Sequence, residues 1–272
     1  MADRKLSLEP LSVPDVQGAA LVDVAAAAGF DLVSMFACSP TAELAPDVAV
    51  ADRKARQDMR ARMAETGVGL HNLECFNLRQ DTDFASFAEA LACGSELGAV
   101  HATAIVWENS DRSDALTKFR RLCAMAAEHG IRINLEFFAA CRTIPNLQTA
   151  ADFVTDAGCP NAGLVLDMLH IVRTSGGMAG LVALDSALIG TVQFNDGLLA
   201  VENADPQAEA LERGLPGTGE FPLKAFAEWL PREVVIGVEV PQSSLFGKVA
   251  PLVRAERMAR STRALLAQWD GA

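Results

Sequence analysis

The chain has 272 residues, half of them hydrophobic, which is enough for a sizeable core and excludes an intrinsically disordered class. Its 35 acidic against 23 basic side chains leave a net charge of −12. Such a surface repels polyanions and argues against a nucleic-acid partner, because the basic stretches 53–62 and 254–263 are interleaved with acids or apolar residues at helical spacing.

The opening Met-Ala-Asp-Arg-Lys leads into no apolar signal region, and the first β-prone run is Leu6–Val13. The greasy stretch from Ala19 to Cys38 is interrupted by Asp23 and Asp31 and split by Gly29, so it reads as a helix followed by a second strand, Leu32–Ala37, and no membrane span is expected. An amphipathic helix over Asp47–Thr66 ends at Gly67, and the third strand is Val68–Leu78. Val100–Trp107 is the fourth strand. A helix over Asp111–His129, with Ser113 or Asp114 as its N-cap, ends at Gly130 and leads into the fifth, Ile131–Phe138. The sixth, seventh and eighth are Leu164–Leu169, Ile189–Phe194 and Val234–Val240, and a last helix, Pro251–Trp269, starts with proline in its first turn. Eight strands alternating with helices imply a parallel sheet, and closure into a (β/α)₈ TIM barrel leaves no edge exposed, although an open doubly wound sheet shares the alternation. No linker or low-complexity tract divides the chain, so residues 1–272 are expected to form one domain. The six scattered cysteines contain no Cys-x-x-Cys pair, which fits reduced thiols and a cytoplasmic setting.

Polar residues interrupt the last four strands at corresponding points. Glu136, Asp167, Gln193 and Glu239 each fall near a C-terminal strand end. Burying one carboxylate in an apolar strand is costly unless it is compensated, and the strands carry too few basic residues to pair these. Four oxygen donors converging at a barrel mouth, where barrel enzymes work, are more simply compensated by one divalent cation. An oxygen-rich set suits Mn²⁺, Mg²⁺ or Co²⁺. Glu74 and Trp107 fall near the ends of strands three and four, where either can line the pocket, while His71 and His101 read as core or bottom-face histidines. Glu220 can pair with Arg213 or lie in solvent. The chain lacks tyrosine, so no phenol can act as general acid.

Leu135-Glu-Phe-Phe138, Asp167-x-x-His170, Gln193 with Asn195-Asp196, Arg213-Gly-Leu-Pro-Gly-Thr-Gly-Glu220 and Val-Glu-Val at Glu239 occur in an order and spacing that resemble the xylose-isomerase-like barrels. That family includes sugar isomerases and epimerases, hydroxypyruvate isomerase, and inosose and 3-dehydroshikimate dehydratases. The resemblance covers essentially the whole chain and implies that Glu136, Asp167, Gln193 and Glu239 are metal ligands. It further implies that His170 meets a substrate oxygen and that Arg213 touches the substrate or a ligating carboxylate. Many epimerases have histidine in place of Gln193, and glutamine there looks more like hydroxypyruvate isomerase or the dehydroshikimate dehydratases.

A metal chelated by a carbonyl and its neighbouring hydroxyl acidifies the C–H between them, and flanking carboxylates can remove and return the proton. Glu136 and Glu239 are the expected acid–base pair, acting on a small polyhydroxy carbonyl substrate. Isomerisation or epimerisation of a keto-sugar is the leading expectation. Dehydration of a cyclic polyol ketone such as dehydroshikimate or an inosose is the alternative, with Arg79, Arg142 and Arg213 as candidates for a substrate carboxylate. A non-catalytic sugar-binding barrel ranks third. The distantly related endonuclease IV needs a histidine-rich zinc site that four histidines do not supply. Self-association into a homo-oligomer is left open.

Overall fold

The structure, a computed structural model, describes residues 4–107, 111–201 and 205–270. In chain order its elements are β1 (Leu6–Leu8), α1 (Gly18–Ala28), β2 (Leu32–Phe36), α2 (Val48–Ala51), α3 (Arg53–Thr66), β3 (Gly69–Leu78), α4 (Phe84–Leu97), β4 (His101–Val106), α5 (Arg112–Ala127), β5 (Arg132–Glu136) and α6 (Leu147–Ala157). There follow β6 (Ala162–Asp167), α7 (Met168–Arg173), α8 (Gly177–Val182), β7 (Ile189–Phe194), α9 (Pro206–Ala210), α10 (Leu223–Trp229), β8 (Ile236–Val238) and α11 (Pro251–Asp270). The strands close in sequence order into one parallel barrel, β8 pairing with β1. The alternative open sheet is thereby excluded. No helix among the described residues is long and apolar enough to cross a membrane.

All eight strands lie where the sequence places them, but several ends differ for local reasons. β1 stops at Leu8 because Pro10, which has no N–H to give a ladder, begins a short 3₁₀ turn over Pro10–Ser12. The helix expected over Asp47–Thr66 is two helices, since Asp52 takes an extended backbone and caps α3 by accepting from Lys54 and Ala55 N–H groups. Asp111, rather than Ser113 or Asp114, caps α5. β6 ends at Asp167 instead of Leu169, because the Asp167 carboxylate accepts from Leu169 N–H (2.7 Å) and starts α7, so His170 sits on a helix and not in a loop.

The apolar core lies mainly between the barrel and its helical jacket, with Phe76, Phe119, Phe153, Phe194 and Phe226 fully buried. The barrel's interior differs from the Val/Ile/Leu filling usual in this architecture. Buried Ser7 and Ser34 lie 3.2 Å apart, and Asn72 donates to Thr103 at 2.9 Å. Towards the N-terminal ends of the strands, Asn134 meets His101 at 3.2 Å, and His101 packs edge-on against His71, as expected for bottom-face histidines. A β-carbon at Gly237 would stand 2.7 Å from Glu9 Oε1, so glycine there opens the space into which Glu9 leans.

Candidate active site at the barrel mouth

The C-terminal strand ends bring five acids together: Glu9 just beyond β1, Glu74 on β3, Glu136 closing β5, Asp167 closing β6 and Glu239 just beyond β8. Glu9, Glu74, Asp167 and Glu239 are all buried, and Glu136 is nearly so. Register explains the convergence: Asp167 lies opposite Gln193, and Gln193 opposite Gly237, two residues before Glu239.

Expected site residues fall into two linked groups. Glu136, Asp167 and His170 each present a ligand atom within 4.8 Å of the others, a spacing compatible with one shared ion. His170 Nε2 lies 3.6 Å from Glu136 Oε1. Across the mouth, the Gln193 amide donates to Glu74 (3.0 Å) and Glu239 (3.3 Å). Arg213 Nη1 joins the groups by donating to Asp167 Oδ2 and Glu239 Oε2, both at 2.7 Å. The strands themselves lack basic partners, as expected, but the loop after β7 supplies one.

One guanidinium does not neutralise five carboxyls. Burial, then the charge of Asp167, pushes Glu136 up to about 8. Burial alone outweighs the hydrogen bonds of Glu9 and takes it to about 7. Glu74 is raised by burial and then by Glu239, Glu9 and Glu136. Asp167 and Glu239 share Arg213 at equal distance yet move oppositely. In Asp167 the Arg213 charge, assisted by His170 and the amide of Asn195 (3.1 Å), overcomes burial and holds the carboxyl down at about 2. In Glu239 burial, reinforced by the charges of Asp167, Glu136 and Glu9, outweighs Arg213 and leaves the carboxyl raised. Burial also lowers His170 to about 4, which keeps the imidazole neutral at ordinary pH.

The residues present fit a dication. Buried carboxyls repel one another until a positive charge is added. The buried Gln193 Oε1 meets no donor, as an oxygen kept for a cation would. Oxygen-rich coordination with one imidazole is compatible with several first-row metals as well as magnesium.

Trp107 and Phe138 stack edge-on (5.5 Å) and Phe138 leans on His170 (6.0 Å), which makes an aromatic wall down to the acids. The guanidinium of exposed Arg79 lies 5.1 Å over Trp107 at the top of this wall. Arg142 is exposed on the loop after β5. Glu220 does not pair with Arg213; it accepts from Leu199 N–H at 2.9 Å. Sequence reasoning missed Glu9, which lies past the short first strand beside a proline and carries no periodic signal. It also missed Asn195 as a brace on Asp167.

The family described as xylose isomerase-like TIM barrel matches residues 22–268. A 3-dehydroshikimate dehydratase from Pseudomonas aeruginosa is 34% identical over 108 residues, or 39% of this chain, and the match spans only 17% of that enzyme's length. Among solved structures, an IolI protein with a bound zinc atom superposes with a TM-score of 0.81 at 17% identity, covering 97% of this chain and 99% of that one. A D-allulose 3-epimerase from Methylomonas sp., in complex with D-allulose, gives 0.70 at 19% identity, with 98% of each chain covered. At these identities the structural likeness is one of fold.

Proposed function

This chain belongs to the xylose isomerase-like TIM barrel family, and from that premise we propose that it is a divalent-metal-dependent lyase. It would remove water from a small cyclic polyhydroxy ketone such as 3-dehydroshikimate by first taking the proton beside the carbonyl. The observation that carries the reading is the Glu136–Asp167–His170 cluster, facing Glu239 across a mouth in which Arg213 pairs with only two of the five acids. Glu136, Asp167, Gln193 and Glu239 would hold the metal, with His170 beside them. A bound dication would polarise the ketone and acidify the adjoining C–H.

The chain's own groups would then manage protons. The Glu136 carboxyl and the neutral His170 imidazole, 3.6 Å apart, are each placed to exchange a proton with substrate. Glu239 faces the site from the opposite side, fixed by Arg213 and Gln193. In the elimination, a carboxylate takes the C–H proton and the electron pair forms the new C=C bond. The β C–O bond breaks, and the hydroxyl departs with a proton from the second group as water. With dehydroshikimate the product enolises to an aromatic dihydroxybenzoate. Arg79 above Trp107 is the cation best exposed for a substrate carboxylate, because Arg213 is already committed to Asp167 and Glu239.

The lyase outcome is favoured over the isomerase or epimerase one by the 34% identical dehydratase, while glutamine at position 193 speaks only against the epimerases that carry histidine there. Isomerisation or epimerisation of a keto-sugar stands second, because acids on two sides of one carbon can equally return the proton. The deciding assay gives the protein 3-dehydroshikimate with and without Mn²⁺ and follows aromatic absorbance, while keto-sugars are followed by NMR in D₂O. Metal-dependent aromatisation supports the lyase. Deuterium entry into a sugar without water loss moves the assignment to the second reading. A folded, metal-loaded protein inert towards both classes would end the enzymatic proposal.

A further inference from the structure

The sequence pattern Gln193-Phe-Asn195-Asp196 contains one acid that the chemistry above does not use. Asp196 is buried at 3% exposure, one residue past the brace on Asp167. Its carboxylate is satisfied by backbone alone: Oδ1 accepts from Gly197 N–H (2.8 Å) and Phe221 N–H (3.0 Å), and Oδ2 accepts from Gly217 N–H (2.8 Å). Its main chain pairs both ways with Gly214, at 3.0 and 2.8 Å. These partners span the segment that carries Arg213. Arg213 N–H is in turn held by the Pro241 carbonyl at 2.8 Å, two residues after Glu239.

We infer that Asp196 is a positioning residue, the hub around which the 205–221 segment folds so that the Arg213 guanidinium reaches Asp167 and Glu239. Ionised acceptors make the stronger hydrogen bonds, and two of the three N–H donors on this carboxylate, Gly217 and Phe221, tie the segment to Asp196 at two points, with the Gly214 main-chain pair as a third. The neighbouring glycines are shaped to the hub. A β-carbon at Gly214 would stand 2.9 Å from the Asp196 carbonyl, and one at Gly219 would stand 2.4 Å from Oδ1 and 2.5 Å from the Gly197 carbonyl. Gly217 adopts φ +89°, where an L side chain is strained. The glycine-rich sequence after Arg213 is therefore the imprint of Asp196, and Arg213 is held both from this hub beyond β7 and by its own loop, where its Nε donates to the Ala210 carbonyl at 3.0 Å.

The catalytic half of this inference rests on the enolisation reading, and the test separates the two. In Asp196→Asn the amide must turn an N–H towards at least one backbone N–H. Amide hydrogen exchange should quicken at Gly197, Gly217 and Phe221, and kcat should fall about 10- to 100-fold with KM changed less, as for a group displaced by about an ångström. Arg213→Lys should lower kcat comparably and change the calorimetric Mn²⁺ affinity in the same direction. The double variant should be no worse than Arg213→Lys alone. Gly219→Ala, which pushes on the hub without altering its charge, should reproduce Asp196→Asn, and it decides the matter if Asp196→Asn does not fold. Unchanged exchange in a folded Asp196→Asn or Gly219→Ala protein, or losses that multiply in the double variant, would overturn the inference. If the wild-type protein turns over no substrate, the enolisation reading falls, while exchange and Mn²⁺ affinity still decide whether Asp196 places Arg213.

Discussion

The two ends of the barrel interior bury polar side chains in opposite ways. At the bottom, His71, His101 and Asn134 are neutral groups that meet one another, and burial lowers the histidines to about 3 and about 4. At the top, Glu9, Glu74, Glu136, Asp167 and Glu239 crowd around Arg213. Neutral polar groups exchange water for one another at little net cost, whereas like charges in a low dielectric do not. The bottom therefore carries no crowd of like charges, although Asn134 Oδ1 is left without a hydrogen-bond partner, whereas the top holds an imbalance of charge that a cation can complete.

The largest effect should come from removing one polar side chain at each end in turn. Glu136→Gln or Asp167→Asn should lower turnover by about a thousandfold or more, the scale of losing a group that acts in the transition state. An apolar change at His71 should leave turnover within a few-fold. Steady-state kinetics on whichever substrate the aromatisation and exchange assays select checks both, and retention of full activity in Glu136→Gln would remove its assigned role. A second effect is thermodynamic. If the top awaits a cation, Mn²⁺ at about a hundred times its dissociation constant should stabilise the fold by about 2.7 kcal/mol, and denaturant melts with and without chelator would show it. Asp167→Asn should abolish most of that gain, and His71→Asn none of it.

The pH dependence of stability should have opposite signs at the two ends. His71 and His101 bind fewer protons folded than unfolded, so their contribution is complete above about pH 6.5 and falls as pH drops towards 4 and then 3, by at most about 1.4 kcal/mol per unit for each. Glu9 and Glu136 are raised to about 7 and about 8, so the folded protein binds more protons than the unfolded chain from about pH 4.5 upwards. Their contribution is complete below pH 4.5 and declines as pH rises to 7 and 8. Metal-free protein should thus be most stable in mildly acidic buffer. Denaturation midpoints from pH 4 to 8 test this: Glu9→Gln should flatten the alkaline limb and His71→Asn the acid limb, and added Mn²⁺ should flatten only the former.

The barrel and half of the mouth were legible in the sequence because both are written in strand periodicity. An acid at the end of an apolar run stands out, and Glu136, Asp167, Gln193 and Glu239 do so in four consecutive strands. What depends on chain reversal was not legible. Glu9 follows a strand of only three residues, and nothing local says that Gly237, across the barrel seam, makes room for it. By periodicity His170 follows a strand, but Asp167 caps a helix as well as facing the site, and that second duty turns His170 towards Glu136. The positive charge that the C-terminal strand ends lack arrives from residue 213 through a loop tied down by hydrogen bonds to Asp196, which composition does not reveal.

The smallest effect on turnover we expect tests whether the top of the barrel is also braced from outside. Ser12 Oγ accepts from Val240 N–H (2.8 Å) and donates to the Val238 carbonyl (3.2 Å), and so spans the two residues flanking Glu239. Fully buried Arg254, on α11, holds the Ser12 carbonyl (3.2 Å), pairs with Asp15 and lies 4.9 Å over Phe246. Ser12→Ala removes both hydrogen bonds and leaves the buried Val240 N–H without this partner, so stability should drop by about 1–3 kcal/mol, the cost of an unsatisfied buried donor. Because the lost bridge borders Glu239 alone, kcat should fall a few-fold while Mn²⁺-free melting keeps its pH profile. A drop in kcat as large as that of Glu136→Gln would mean that Glu239 is held mainly by this brace, and not by Arg213 and Gln193 from within.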